Sequence, residues 1–442
     1  MQLDANHLLI STNNGLLLFN TQSKRFEKKY LKSDNPLKEI VCLKFAKIDA
    51  THYYIGTSNG VYKFGLNEGV SLAFQNKPTD PNTIMGNKIN SIYYDDGKKE
   101  LWLGVAEMGI DIVWLMPITP ISHVNKKGSL GSYYACSSYT KINPEFGTAA
   151  DFKDLVDTAQ ALGLKVIIDW VANHTGSHHE WMQENPSWFA QDASGKFTER
   201  NGWDDVVDLN FDNPSMRIAL IDAMEYWVHQ FNIDGFRCDM AHLVPLDFWI
   251  TARTNLEKIK ILYWLAECED IAYHQVFDTS YAWAWMHASK KVGKEVDSLQ
   301  EVYNVLHQYA QYPKGAYKLF FTSNHDENSW NGTEFEKYGI AAKAWAVFTS
   351  TWNGQPLIYG GQELPNTKRL AFFDKDQIDW SVEQPALHEF YKTLGSLRKS
   401  HTAIITGDTF NLPVQSDGVM AYLRQDAAST VFVLLNLSNQ HH

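Results

Sequence analysis

Four short segments set acidic or imidazole groups at the C-terminal ends of apolar runs. They are Val166-Ile167-Ile168-Asp169-Trp170-Val171-Ala172-Asn173-His174, Gly235-Phe236-Arg237-Cys238-Asp239, Leu265-Ala266-Glu267 and Phe321-Thr322-Ser323-Asn324-His325-Asp326. A short apolar run of this kind reads as a buried strand, and in a parallel α/β barrel the C-terminal strand ends face the active site. Four such ends would converge three carboxylates (Asp239, Glu267, Asp326), Arg237 and the imidazoles of His174 and His325 on one pocket. Two carboxyl groups flanking an acetal can divide the work of nucleophile and general acid, the chemistry that cleaves a glycosidic bond. Each segment alone is weak. Asn-His-Asp occurs by chance, an Arg two residues before an Asp lies on the same strand face and makes an ordinary structural ion pair, and a lone buried His is usually a core residue. Four in order, each ending a strand, reinforce one another.

The elements that must position these groups alternate as strands and helices. Asp111-Ile112-Val113-Trp114-Leu115-Met116-Pro117 reads as a strand, and 152–162 as an amphipathic helix with Gly163 as its stop. A strand over 166–170 follows. Residues 174–205 are polar and loop-like, a short insertion after that strand. A helix is expected over 216–231, further strands over 262–267, 276–279, 319–324 and 356–360, and a last helix over 386–399. The pattern predicts a TIM-type (β/α) barrel over 105–400, followed by a truncated C-terminal β-domain over 401–442 with strands at 419–424 and 430–437. The first hundred residues differ. Leu8 to Phe19 recurs as Tyr53 to Phe64, with Gly15 and Gly60 45 residues apart, and a third start stands at Leu101-Trp102-Leu103-Gly104. Asn-Gly between short apolar runs signals a hairpin, and repeats of this length suggest propeller blades. Residues 1–104 are therefore expected to form an all-β fragment of about two blades, similar to the propeller repeats of bacterial two-component sensors.

In order and spacing the four segments resemble the four motif regions of the α-amylase family of retaining glycoside hydrolases, over about 106–440. The resemblance implies double displacement at α-glucosidic bonds, α-1,4 foremost, in starch-type oligosaccharides or polysaccharides. On it, Asp239 is the nucleophile, Glu267 the general acid and then base, and Asp326 the carboxylate that grips sugar hydroxyls. His174 and His325 bind hydroxyls of the same sugar, Asp169 orients Arg237, and Tyr134 stacks under the cleaved unit, with Tyr133 its near neighbour. Glu269 and Asp270 compete with Glu267 by position alone. Asn173 matches a position that binds calcium in many relatives, although Asn equally caps a loop; no organic cofactor is implied. His178, His179 and Glu180 do not place three ligands on one face and read as a solvated loop. Met240, His242 and Leu243 depart from the usual pattern after the nucleophile, on the leaving-group side. The family's first barrel strand has no counterpart, so a seven-stranded parallel sheet with two open edges is expected unless Glu100–Gly104 fills the gap.

The chain has 442 residues and a formal net charge of −12, which disfavours nucleic acid and anionic membranes and suits a neutral partner such as an α-glucan. Cys42, Cys136, Cys238 and Cys268 are widely spaced, without a metal or disulfide pattern. No apolar run reaches membrane-span length. Met1-Gln2-Leu3-Asp4 opens no basic-then-apolar leader, so a cytoplasmic protein is expected as written, and a periplasmic or secreted one if the N-terminus is truncated. The sensor-like repeats keep a second reading open: a carbohydrate-sensing or binding fusion with an inactive barrel.

Overall fold

The computed structural model describes residues 2–12, 15–27, 37, 40–75, 91–95, 100–104, 108–292, 294–295, 298–378 and 385–438. They fall into two compact units: 1–110 with 388–396, and 111–387 with 397–442.

The smaller unit contains two four-stranded antiparallel sheets. One is β1 (Gln2–Asp4), β2 (His7–Thr12), β3 (Gly15–Asn20) and β4 (Arg25–Glu27); the other is β5 (Cys42–Lys47), β6 (His52–Thr57), β7 (Gly60–Gly65) and β8 (Gly69–Phe74). The two hairpins share one register. Thr12 pairs with Gly15 and Thr57 with Gly60, and each threonine hydroxyl donates to its glycine's carbonyl at 2.7 and 2.8 Å. The hairpin expected from Asn59-Gly60 is present. Gly60 is the first residue of the returning strand, not part of the two-residue loop. Its φ is +102°, and a Cβ there would stand 2.5 Å from the Phe74 carbonyl oxygen. Asn13 and Asn14 lie outside the described residues. Alternate residues Leu9, Leu18, Ile55 and Phe64 build the core of this unit. The third start, Leu101–Gly104, falls in β10 (Glu100–Gly104), which pairs antiparallel with β9 (Ser91–Asp95).

The larger unit is built on a curled parallel sheet of β11 (Ile112–Leu115), β12 (Lys165–Trp170), β15 (Gly235–Cys238), β16 (Tyr263–Ala266), β17 (Thr279–Tyr281), β18 (Tyr317–Phe320) and β19 (Gln355–Pro356), in that spatial order. A short antiparallel pair, β13 (His174–Gly176) and β14 (Val206–Asp208), ties off the insertion after β12. In β12, Val166 to Trp170 are all buried, the mark of a parallel strand covered on both faces. The helices are α1 (Ala149–Ala161), α2 (Trp181–Glu184), α3 (Pro214–Phe231), α4 (Leu246–Leu256), α5 (Trp283–Ser289), α6 (Gln300–Tyr309), α7 (Glu334–Tyr338), α8 (Ala342–Thr351), α9 (Pro385–Ser400) and α10 (Thr402–Thr406). Local chemistry sets their ends. Thr148 and Asp151 form a capping box on α1. Asn213 accepts from the Ser215 and Met216 amides ahead of Pro214 in α3, which stops at left-handed Asn232. Leu220, Met224, Trp227 and Phe231 make the buried stripe of α3. Below the sheet, Asp234 accepts from the Val166 amide and the Gln160 side chain and pairs with Lys165 and Lys260. An antiparallel sheet of β20 (Asp408–Leu412), β21 (Val419–Gln425) and β22 (Thr430–Asn436) follows, its Tyr422 hydroxyl 2.6 Å from Thr351 Oγ1.

Four expectations are corrected. The sixth strand of the count is 279–281, not 276–279, because Val276 and Phe277 turn into the core and the Asp278 carboxylate caps the Trp264 amide. The next strand ends at Phe320 rather than 324; beyond it Asn324 Oδ1 accepts from the Glu327 amide and the chain coils into the π-turn Glu327–Asn331. The last strand is shortened to 355–356, where Pro356 has no amide to extend a ladder. Glu100–Gly104 does not fill the gap, since it pairs with β9. Among the described residues β11 and β19 remain unjoined edges. No helix among the described residues is long and apolar enough to cross a membrane.

Candidate active site

The centre of the site is one guanidinium. Arg237, at 0% exposure, projects from β15, and its Nη1 donates to Asp169 Oδ1 and Asp239 Oδ1, both at 2.9 Å. Its Nη2 stands 2.7 Å from Glu267 Oε2, a charge contact out of hydrogen-bond alignment. Nε donates to the Tyr281 hydroxyl at 3.1 Å. The rings of Trp114, Tyr281 and Tyr134 surround the cation at 5.0, 5.3 and 5.8 Å. Strand register produces the gathering. Asp169, Arg237 and Leu265 lie side by side across β12, β15 and β16, so Asp239 and Glu267 each follow at a strand end.

Three carboxylates on one buried cation, with Asp326 as a fourth in the same site, leave it short of positive charge, and protonation states follow. Burial, opposed by Arg237, holds the Asp239 carboxyl well above its ordinary range. Burial raises Asp169 to about 6, and burial with the Glu267 charge raises Asp326 to about 7. Burial keeps both imidazoles neutral: His174 falls to about 4, and His325, also facing Arg237, falls well below its usual value. The Tyr134 hydroxyl donates to Asp169 Oδ2 at 3.0 Å, so it accepts from His325 Nε2–H at 2.7 Å, which fixes that tautomer. His325 Nε2 also lies 3.3 Å from Asp326 Oδ2.

Glu267 is held by the turn after Asp239. Met240 adopts φ +40°, a conformation non-glycine residues seldom take, and this aims its amide at Glu267 Oε2, 3.0 Å away. The Ala241 amide donates to the Glu267 carbonyl. Glu269 and Asp270 are engaged otherwise. Glu269 accepts from the Ala284 amide at the start of α5 and from the Tyr309 hydroxyl, and Asp270 caps the turn at Ala272. Cys238 and Cys268 are buried thiols, the latter pushed up to about 12.

Tyr134, His174, Asp239, Glu267, His325 and Asp326 all line one cavity of about 950 Å³, with Met240 and His242 further along its wall. Tyr133 turns away and stacks on Phe146. Asn173 is buried beside His174. Its Nδ2 donates to Asp208 Oδ1, Arg200 Nε takes Asp208 Oδ2 at 2.7 Å, and only Asn173 Oδ1 lacks a partner. Calcium takes six to eight oxygens. The unpartnered Asn173 Oδ1 is one oxygen such an ion could take, and among the described residues no cluster of three His, Cys, Asp or Glu ligands stands beside it. The solvated-loop reading of 178–180 is corrected at His179, which is 2% exposed among Tyr139, Trp181 and Phe189. Sequence reasoning missed Trp114, whose Nε1 donates to Asp169 Oδ2 at 3.2 Å, and Tyr281. Trp114 looked like one more apolar residue of its strand, and Tyr281 lay outside the misplaced sixth strand.

The family description "Alpha amylase, catalytic domain" matches residues 104–188 and 183–279. Among solved structures, the chain is similar to a noncanonic maltogenic α-amylase, AmyB, from Thermotoga neapolitana. Identity is 33% and the TM-score 0.71, over 75% of this chain and 78% of that one. The α-amylase of Geobacillus thermoleovorans, solved in complex with acarbose, is 25% identical with a TM-score of 0.64, over 75% and 78%. Among curated proteins, α-amylase MalA of Haloarcula japonica is 27% identical over 75% of this chain, which spans 51% of that relative's length.

Proposed function

The chain belongs to the α-amylase family, and from that premise we propose that it is a retaining glycosidase acting on α-glucosidic bonds, α-1,4 foremost, in starch-type glucans. The observation that carries the proposal is one buried guanidinium touching Asp169, Asp239 and Glu267, the last two of which line one cavity. Retention requires two carboxyl groups about 5–5.5 Å apart, and contact with one shared guanidinium keeps Asp239 and Glu267 close together. Asp239 binds Arg237 through Oδ1 and presents Oδ2 to the anomeric carbon. As the C–O bond breaks, Glu267 gives its proton to the leaving oxygen. Glu267 then takes a proton from water, which attacks the same carbon, releases Asp239 and restores the original configuration. A second sugar replacing that water would make the reaction a transglycosylation. Asp326 and the excess of buried carboxylate stabilise positive charge developing on the ring. Neutral His174 and His325 offer hydrogen bonds to hydroxyls without adding repulsive charge, and Tyr134 supplies the stacking face.

Reducing-sugar release from maltooligosaccharides tests this. Asp239→Asn is expected to lower kcat by about 10³-fold or more with the fold intact; equal release by both proteins ends the proposal. The two repeated sheets of the smaller unit, read as propeller blades, favour a second reading as a glucan sensor. Binding of maltoheptaose without turnover would support that reading.

A further inference from the structure

Phe372 and Phe373, from the segment after β19, line the same cavity as Tyr134. Residues 368–376, between β19 and α9, cross it as a strap tied to both banks. On one bank the Ser129 amide and hydroxyl donate to Asp374 Oδ1 at 2.8 and 2.5 Å, and the Leu130 and Gly131 amides donate to the Phe373 carbonyl at 3.0 and 3.3 Å. Gly128 permits this approach: its φ is +61°, and a Cβ there would stand 2.5 Å from the Phe373 carbonyl oxygen. On the other bank Asn328 grips the strap twice, Nδ2 donating to the Lys368 carbonyl at 3.2 Å and Oδ1 accepting from the Leu370 amide at 2.9 Å. Between these ties Phe372 lies against the rings of Tyr134 and His325, at 6.2 and 6.4 Å and 17° and 29° from parallel, with Trp330 5.5 Å away. Phe372 and His325 also line a second cavity of about 390 Å³ that reaches Tyr133 and Tyr359. Phe372 therefore stands as the partition of one divided cleft.

The side on which the strap lies follows from the chemistry. A proton donor stands beside the leaving oxygen, so Glu267 marks the leaving-group side. The contacts run from Glu267 through Arg237 and Asp169 to Tyr134 and then Phe372. The strap thus closes the opposite, glycone side. A loop fastened at both ends lets the end of a glucan pass beneath it, whereas an internal stretch of polymer must thread a free end through first.

Building on the glycosidase reading above, we infer that the protein cuts α-glucans from their non-reducing ends and releases short products, with Phe372 as the specificity-determining side chain and the Asp374–Ser129 tie holding it in place. The test uses the full chain and two maltoheptaosides carrying the same aglycone, one with its non-reducing end free and one with that end blocked by a 4,6-ketal, with cleavage followed by chromatography of the oligosaccharide products. The wild type is expected to favour the free-ended substrate by about tenfold or more in kcat/KM. Phe372→Ala and Asp374→Ala are expected to pull that ratio toward one. A general loss of folded protein lowers both rates together and leaves the ratio in place, so the ratio reports the strap itself. Equal cleavage of the two substrates by the wild type, or a ratio unmoved by both variants, overturns the inference and leaves the glycosidase reading standing. No cleavage of either substrate overturns both.

Discussion

At the scale of single residues, the site is governed by too little positive charge for its carboxylates. Asp326 shows the consequence. Its folded-state value of about 7 lies above the ordinary value near 3.9. Between those limits the native protein binds more protons than the unfolded chain, so stability falls as pH rises from about 4 to 7, and the full cost is present above 7. Asp326→Asn removes that cost. It is expected to raise Tm by a few degrees at pH 8 and to leave it unchanged near pH 4, while lowering kcat about 100-fold because an amide cannot balance charge on the ring. Thermal melts at the two pH values check the first part; a Tm difference of the same size at both would refute it. Asp239, Glu267 and Asp326 were legible in the sequence because a carboxylate that ends an apolar run is out of place in a core. Trp114 and Tyr281 were not, because an aromatic residue in an apolar run looks the same whether it fills a core or encloses a buried cation.

At the scale of elements, β15 carries Arg237 and ends one residue before Asp239, so its seat against β16 sets the geometry of the site. Gly235 makes the close seat available: a Cβ there would stand 2.0 Å from the Tyr263 carbonyl oxygen, its register partner. Gly235→Ala should therefore force the strands apart at a cost of about 1–3 kcal/mol. It should lower kcat more than the stability loss explains, since Arg237 and Asp239 move together. A urea midpoint and kcat measured on the same preparation decide the matter, and an unchanged midpoint refutes the argument. Strands with a continuous apolar run, such as β12, were readable to within a residue. The sixth strand of the count was not, because Val276 and Phe277 are strand-like in composition yet are drawn into the core, and Asp278 replaces a ladder partner with a side-chain cap. The strap was invisible to the sequence for a similar reason. Its ties join Ser129 to Asp374 and Asn328 to Lys368, and no local periodicity encodes pairings that distant.

At the scale of the larger unit, the question is how a seven-stranded parallel sheet with edges at β11 and β19 keeps its curl. The open edges were expected from the absent first-strand pattern; what secures them was not. The last turn of α9 reaches the entrance of both. Arg398 donates to the Ser350 and Gly354 carbonyls, the latter just before β19, and Lys399 lies 3.0 Å from Asp111 Oδ1, just before β11. The two ties are unequal. Asp111 is 74% exposed and Lys399 48%, so that pair is screened and worth little, and Lys399→Met should cost under about 0.5 kcal/mol. Arg398 is largely buried and satisfies two carbonyls at once. Arg398→Met keeps the stem and removes both donors, for an expected loss of about 2–3 kcal/mol. The edge should feel it before the centre does: hydrogen exchange across 355–360 should quicken in Arg398→Met while that of β15 and β16 holds. Exchange unchanged at that edge, or quickened equally at every strand, would mean that the curl is kept by core packing alone and that the arginine is incidental to it.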